Sequence, residues 1–404
     1  MTMSRLGYVA IKYESGGRGV AVKPTKFLPY KWGDIGYKQE ILTNDPIQNI
    51  RHKAIEALKG KIETEGDLSF NCDARSLVYV LFGVLGKYTI TSLGSGAYKH
   101  TLKIANKLPS FTIEQAKGDI TGTDISIQRS FGTLFDSIEI SGSDGMLDVK
   151  TKTQSLGAFL MSFLKATAPI GTPASIVSNQ VEGLVVGDVI RVTETTGASP
   201  STETTTIVSV TPATKTLTAN LTASKDLNQE PIIELVAQTP TYDDERTRPT
   251  FSFTNAEFRQ GADLTAAASA TTLGLEDWTV SFENGVEARY GSKRATPTTL
   301  AEKGTKMTIK WKKLFETNDD RNKYVGVKET AIIFSLVHDK LIGSSTQPYK
   351  IDFKLPRVVY TAVEMPTGVD DVFVVQCEAE VYYDGTQGDA VIVEVYNDIA
   401  DAQV

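Results

Sequence analysis

The chain has 404 residues, a formal charge of −7, ordinary hydrophobic content and two cysteines, Cys72 and Cys377, both in apolar contexts. That length supports two or three domains, and the charge content is too low for a disordered polymer. The chain has no cationic excess of the kind a general nucleic-acid binder needs, no apolar run of the roughly 18–20 residues of a membrane helix, and no signal-peptide layout at Met1–Leu6. A soluble chain made in the cytoplasm with buried thiols is expected.

The glycine-rich stretch Ser15–Gly19 lacks the Lys-Ser or Lys-Thr pair of a phosphate loop and reads as a flexible loop. Residues 43–60, with Asn44-Asp45-Pro46 inside them, form a long polar connection without a clear period. Lys61–Phe70 alternates as a strand, with Ile62, Thr64, Leu68 and Phe70 on one face. Glu63, Glu65 and Asp67 fall on the other, either as a solvated face or as an acidic wall along a passage. Asp73 caps a helix with a stripe of Leu77, Val78, Leu81, Val84 and Leu85, stopped by Gly86. A hairpin from Tyr88–Ile90 to Tyr98–Ile104 follows, then strands 124–128, 134–141 and 146–153. Leu156–Leu164 fits either a short helix or the end of the sheet.

From Lys165 to Thr241 the composition changes to Thr, Ser and Val with no Phe, Tyr or Trp. Short strands at even spacing predict a small SH3-like or immunoglobulin-like domain, inserted at an exposed loop and pointing outward. After it, Asp277–Phe282 reads as a strand, and 286–303 is a second long polar connection carrying Arg289 and Arg294. In Gly304–Trp311, Met307, Ile309 and Trp311 alternate with Lys306, Thr308 and Lys310, so the polar face here is basic. A polar helix over 317–325, a strand over 329–337 and a strand from Tyr349 extending past Pro356 to Glu364 come next. A closing hairpin pairs 372–383 with 390–396 and sets Glu378 and Glu380 on its polar face.

The order of features runs through one plan twice: alternating strand, short helix, and an arm beginning Tyr-Lys, at Tyr98 and again at Tyr349. The expected fold is mainly β, with two tandem β-barrel or sandwich units at 1–165 and 242–404, each with a short helix, and a small inserted all-β domain at 166–241. For chemistry there is little. His52, His100 and His338 are far apart, and no Cys-x-x-Cys, His-Glu-x-x-His or Gly-x-Ser-x-Gly pattern occurs. The run Asp243-Asp244-Glu245-Arg246 reads as a solvated hinge. No catalytic, cofactor or metal site is expected, and the chain is not read as an enzyme.

The series Val22-Lys23-Pro24-Thr25, Gly66–Phe70 leading into the Leu-rich helix ending Val84-Leu85-Gly86, Leu273–Glu276 before Glu283-Asn284-Gly285, and Tyr349–Pro356 before the final Tyr-Asp-Gly turn and Val393–Asn397 resembles the tail tube (major tail) proteins of long-tailed bacteriophages. It covers most of the chain outside the insert, and the order of its motifs carries it rather than any one of them. The resemblance implies a structural virion protein, made in the host cytoplasm, that assembles into stacked rings forming the tail conduit for DNA. With two units per chain it implies a trimer with a pseudo-six-fold ring, the hexamer being the alternative. Tape-measure and tail-tip or terminator proteins are the implied partners, with passing DNA that is not specifically bound and no membrane. On that reading Glu63, Glu65 and Asp67, then Glu378 and Glu380, are candidates for the lumen wall. Asn44, Pro46, Arg51, Arg289, Arg294, Lys306 and Lys310 are candidates for contacts between subunits or rings. The rival readings are a baseplate or fibre-like receptor-binding protein and a β-sandwich carbohydrate-active enzyme.

Overall fold

The computed structural model describes residues 7–44, 56–120, 125–196, 201–242, 249–365 and 373–403. The chain is mainly β, as its alternating patterns predict. Its first part contains β1 (Tyr8–Tyr13), β2 (Lys26–Leu28), β3 (Trp32–Ile35), β4 (Lys38–Asn44), β5 (Glu56–Glu63), β6 (Glu65–Asn71), α1 (Ser76–Leu85), β7 (Gly86–Gly94), β8 (Ala97–Ile104), β9 (Phe111–Gly118), β10 (Ile125–Gly142), β11 (Asp148–Gln154) and β12 (Gly157–Phe159). The aromatic-free region supplies β13 (Met161–Phe163), β14 (Gly171–Val177), β15 (Val189–Thr193), β16 (Thr202–Thr211), β17 (Thr216–Leu221) and β18 (Ile232–Leu235). The last part has β19 (Ala256–Gly261), α2 (Leu264–Ser269), β20 (Asp277–Glu283), β21 (Glu287–Arg289), β22 (Thr299–Ala301), β23 (Lys306–Leu314), α3 (Asp319–Val325), β24 (Thr330–Leu341), β25 (Pro348–Glu364), β26 (Val374–Val381) and β27 (Ile392–Asn397).

One antiparallel wall runs through both parts in the order β3-β6-β11-β10-β20-β23-β26-β25. Four strands come from each part, and the β10–β20 pairing is the seam. Each part repeats the same connections. β10 and β25 are both long, both bulged, and both leave the wall at their N-terminal ends. There β10 pairs with β9 and β12, and β9 with β1. In the same way β25 pairs with β24 and β27, and β24 with β19.

This pairing corrects the match between the two Tyr-Lys arms. The counterpart of the Tyr349 strand β25 is β10, not the Tyr98 strand β8. The β7–β8 hairpin is an addition to the first part, and β8 docks on the edge of β27. The closing hairpin is also corrected: β26 and β27 both pair with β25, at its two ends, and the connection between them is closed by a bridge between Asp384 and Asp389. The strands expected over 124–128 and 134–141 are one, β10, and Leu156–Leu164 forms two three-residue strands instead of a helix.

α1 is buried on every side, so its apolar stripe understates the burial. Asp73 Oδ1 accepts the amides of Arg75 and Ser76, at 2.9 and 2.7 Å, and Gly86 ends the helix at φ 86°. α1 fills the main core together with Phe135, Trp278, Phe282, Trp311 and Phe353. The glycine-rich turn is pinned instead of flexible. The buried Glu14 carboxylate accepts from Ser110 Oγ, Thr112 Oγ1 and the amides of Gly19 and Gly132, all at 2.7–2.9 Å. Arg18 pairs with Glu302 and donates to the carbonyls of Leu108 and Leu300.

The insert folds as a six-stranded antiparallel sheet, β13-β18-β15-β16-β17-β14, that starts at Met161. Its apolar core is continuous with Tyr8, Ala10, Ala116 and Ile127 on the outer face of the β1–β9–β10 sheet. Arg129, 1% exposed, crosses this boundary: Nη2 lies 2.6 Å from Glu114 Oε2 and 3.0 Å from Asp188 Oδ1. Tyr8 Oη and Gln238 Nε2 donate to the other Glu114 oxygen at 2.6 and 2.8 Å. The insert is therefore docked through charge and apolar surface, not merely tethered at a loop tip.

His100 locks the added hairpin to the chain's end. Asn397 donates from Nδ2 to Ala74 O, which leaves its Oδ1 to accept from His100 Nε2 at 2.7 Å. Nδ1 then accepts from Tyr88 Oη at 2.9 Å, and Tyr88 Oη accepts the amide of Ala402. Burial holds the imidazole pKa below its ordinary 6.5.

Two stability outcomes follow from these buried groups. Removing the guanidinium in Arg129→Ala strands two buried carboxylates and is expected to cost about 3–5 kcal/mol in chemical denaturation. Because the folded state prefers neutral His100, stability is full above pH 6.5 and falls as pH drops below it. Denaturation midpoints at pH 7.5 and 5.5 should show that fall, and His100→Gln should reduce it.

Candidate functional face

The wall alternates strictly, so one face is core and the other is open. Leu68 and Phe70 of β6, Val149 of β11, Ile138 and Ile140 of β10, Val280 and Phe282 of β20, and Met307, Ile309 and Trp311 of β23 point inward and are buried. The opposite positions are exposed or half-exposed on every strand. Register joins them into rows. One runs Asp34, Asp67, Lys152, Ser137, Glu283, Lys306. Another runs Trp32, Ser69, Lys150, Glu139, Ser281, Thr308, Glu380. A third runs Asn71, Asp148, Ser141, Thr279, Lys310, Glu378.

Glu65, Asp67, Glu378, Glu380, Lys306 and Lys310 therefore share one surface. The acidic and basic strands occupy matching places, because β6 and β23 each sit between a shorter strand and the strand that follows the bulge. Lys38 opposite Glu63 corresponds to Glu283 opposite Lys306, with the charges exchanged. Cross-strand pairing tempers the basic strand: Lys310 Nζ lies 3.1 Å from Glu378 Oε2 and Lys312 Nζ 3.1 Å from Glu276 Oε2. Lys150 Nζ lies 3.6 Å from Glu139 Oε1. Carboxylates still predominate, with Asp34, Glu65, Asp67, Glu139, Asp148, Asp277, Glu283, Glu378 and Glu380 facing Lys150, Lys152, Lys306, Lys310 and Lys312, while Lys31 and Lys117 reach in to pair with Asp148 and Asp34. Two hollows, of about 510 and about 320 Å³, open on this face beside Asp67–Glu139–Lys150 and beside Thr279–Lys310–Glu378.

The described parts of both long connections form two-stranded arms outside the wall's ladder, and the second packs Val286 and Leu300 against Leu134 of β10 and Leu108. β4 pairs with β5 on one side of 45–55, and β21 with β22 in the second part. The strand read as Lys61–Phe70 is broken at Thr64, whose hydroxyl donates to Ser155 O at 2.8 Å, so Glu63 ends the arm and Glu65 begins the wall. The arms touch: the Ile62 amide donates to Ala295 O at 2.8 Å, Tyr290 Oη donates to Ile62 O at 3.2 Å, and Lys61 Nζ lies 5.1 Å from the Tyr290 ring centre. Arg289, paired with Glu287 at 3.0 Å, and Arg294 are exposed on the second arm. Asn44 ends β4. Pro46, Arg51, His52 and the run 243–246 lie outside the described residues.

Sequence reading missed Lys150, Lys152, Glu139 and Glu283 as members of this face. The alternation of polar positions along β10, β11 and β20 is the signal that finds them. Among the described residues no group of three or more His, Cys, Asp and Glu side chains is placed to hold a metal ion. His338 Nδ1 accepts the Lys340 amide at 2.9 Å. No helix among the described residues is long and apolar enough to cross a membrane.

Because the charges on this face are solvent-exposed, Lys310→Ala should change folding stability by less than about 1 kcal/mol. Urea titration checks this, and a larger loss would make the face a stabilising lattice instead of a surface free to serve a partner. Compared with models of known families and with curated proteins, the chain matches none.

Proposed function

We propose that this chain is a tail-tube-type structural protein whose copies close into rings, with the open polar face of the wall lining a conduit for DNA. The observation that carries the reading is the wall itself: two four-strand units, repeated in order and register, joined in one sheet with a polar, mainly acidic face. At its ends β3 pairs only with β6, and the part of β25 beyond Val358 only with β26, among the described residues. Gln115 caps part of the β3 edge, accepting the Ile35 amide at 3.0 Å and donating to Gly33 O at 2.7 Å, and the stretches of both edges left open beyond it are aggregation hazards unless another chain completes them.

Strand spacing selects the copy number. Three chains give 24 wall strands, and at about 4.8 Å per strand the ring is about 37 Å across, or about 48 Å at a 40° tilt. Side chains reaching about 5 Å inward from each side leave room for a duplex about 20 Å wide. Six chains would double the diameter and leave the duplex loose. The trimer is the better fit, and its six units give pseudo-six-fold symmetry.

A conduit must not hold what it passes. Predominant carboxylates repel phosphate at short range, and the cross-strand pairs keep the lysines from acting as a continuous phosphate track. The paired arms lie outside the wall's ladder, and the first, with Ile41, Leu42 and Leu58 exposed, suits contacts with the next ring.

Negative-stain microscopy and sedimentation of the concentrated full chain should show rings or stacked tubes. A strict monomer across a range of salt and concentration would sink the reading. Assembled tubes should retain no duplex DNA at low salt, whereas Asp67→Lys combined with Glu139→Lys should retain it and release it as salt rises. Equal retention by both would remove the role given to the wall's charge.

A further inference from the structure

The seam inside the chain is a template for the seam between chains. Its position in each half is fixed by register. Asp67 pairs with Lys152, which pairs with Ser137, the first residue after the bulge at Asp136. Lys310 pairs with Glu378, which pairs with Ala362, the first residue after the bulge at Thr361. On the other side Asp67 pairs with Asp34, and Lys310 with Thr279. Ser137 thus corresponds to Ala362, Asp34 to Thr279, and Lys38 to Glu283. Within the chain the seam sets Ser137 opposite Glu283, Ile138 opposite Phe282 and Glu139 opposite Ser281.

Resting on the ring reading above, we propose that β25 pairs antiparallel with the β3–β4 segment of a second copy in the same register: Ala362 opposite Lys38, Val363 opposite Tyr37 and Glu364 opposite Gly36. Three features support this register. Ile138 and Phe282 are fully buried at the internal seam, while their counterparts Val363 and Tyr37 are half-exposed. At the internal seam Asn284 Nδ2 donates to Val84 O, at the end of α1, and to Phe135 O, both at 3.0 Å. The same alignment puts another carboxamide, Gln39, in the place of Asn284, and another aromatic, Tyr360, in the place of Phe135. Finally, α1 is wholly buried, whereas its counterpart α3 leaves apolar surface uncovered: Val325 is 71% exposed and the adjoining Val327 69%. A second copy's β3–β4 segment would cover that surface as β20 and Asn284 cover α1.

The test is thiol crosslinking of the assembled full-length protein. Directly opposed residues place Cβ atoms about 4.5–5.5 Å apart, within reach of a disulfide or a short bifunctional thiol reagent. Cys72 and Cys377 are buried and serve as background. Ala362→Cys with Lys38→Cys should give covalent dimers and trimers, and Glu364→Cys with Lys38→Cys, shifted by two residues, should not. Crosslinking of the shifted pair alone overturns the register. Assembly without crosslinking by either pair overturns the joint and leaves the ring reading standing, whereas absence of assembly in the unmodified chain overturns both. Val325→Asp should abolish assembly without changing the melting temperature, because Val325 is exposed in the single chain. Normal assembly of that variant would remove α3 from the joint.

Discussion

The structure depends on the backbone ladder between β10 and β20. A period of two residues has only two phases, so a one-residue slip of β20 against β10 would turn Val280 and Phe282 out to solvent while Ile138 and Ile140 stayed in the core. Those side chains pack with α1 and the second-part aromatics in a single core. The ladder thus fixes two things at once: the halves share a core, and their polar positions line up on one surface. The open face is a consequence of the buried one.

The likeness of the halves and their differences have separate causes. Strand order, bulges and register repeat, which is what the proposed ring, a wall continued through equivalent seams, would require. What covers the outer sheets does not repeat. Beside β1 and β9 the insert supplies the cover, with Arg129 and its carboxylates at the boundary. Beside β24 the cover is α2, through Leu264 and Ala267, and farther along it is a ladder of charges in which Glu394 meets Lys354 at 2.8 Å and Lys99 at 3.6 Å. Divergence is tolerated where no second seam has to be matched.

Local alternation was the legible part. It gave the faces of β6, β20, β23 and β26, the capped helix α1 and the full reach of β25 past Pro356, since each signal lies within one element. The seam was not legible, because Ser137 and Glu283 are joined only by folding. The Tyr-Lys likeness misled for a related reason: two similar peptides at strand starts say nothing about which edge each strand joins. The first arm hid because a two-stranded arm with solvent on both faces has no reason to alternate, and Ile41 and Leu42, adjacent in β4, are both exposed. Arg129 sat unnoticed among Gln128 and Ser130, its partners 15 and 59 residues away.

The exposed apolar groups of the arm bear on how the chain is used. A two-stranded hairpin on its own is marginal in water. The β4–β5 arm shows Ile41, Leu42 and Leu58 to solvent, each about half-exposed or more, and is braced near its base by Lys61 and Ile62 against the second arm. Among the described residues this first arm takes no part in the main core, whereas the second arm covers Leu134 of β10 with Val286 and Leu300. Apolar surface carried on such an element adds little to the stability of a single chain and is most useful when another copy covers it. The wall's unpaired edges and the bare end of α3 have the same character, which is why an assembled form accounts for more of this molecule's surface than an isolated one.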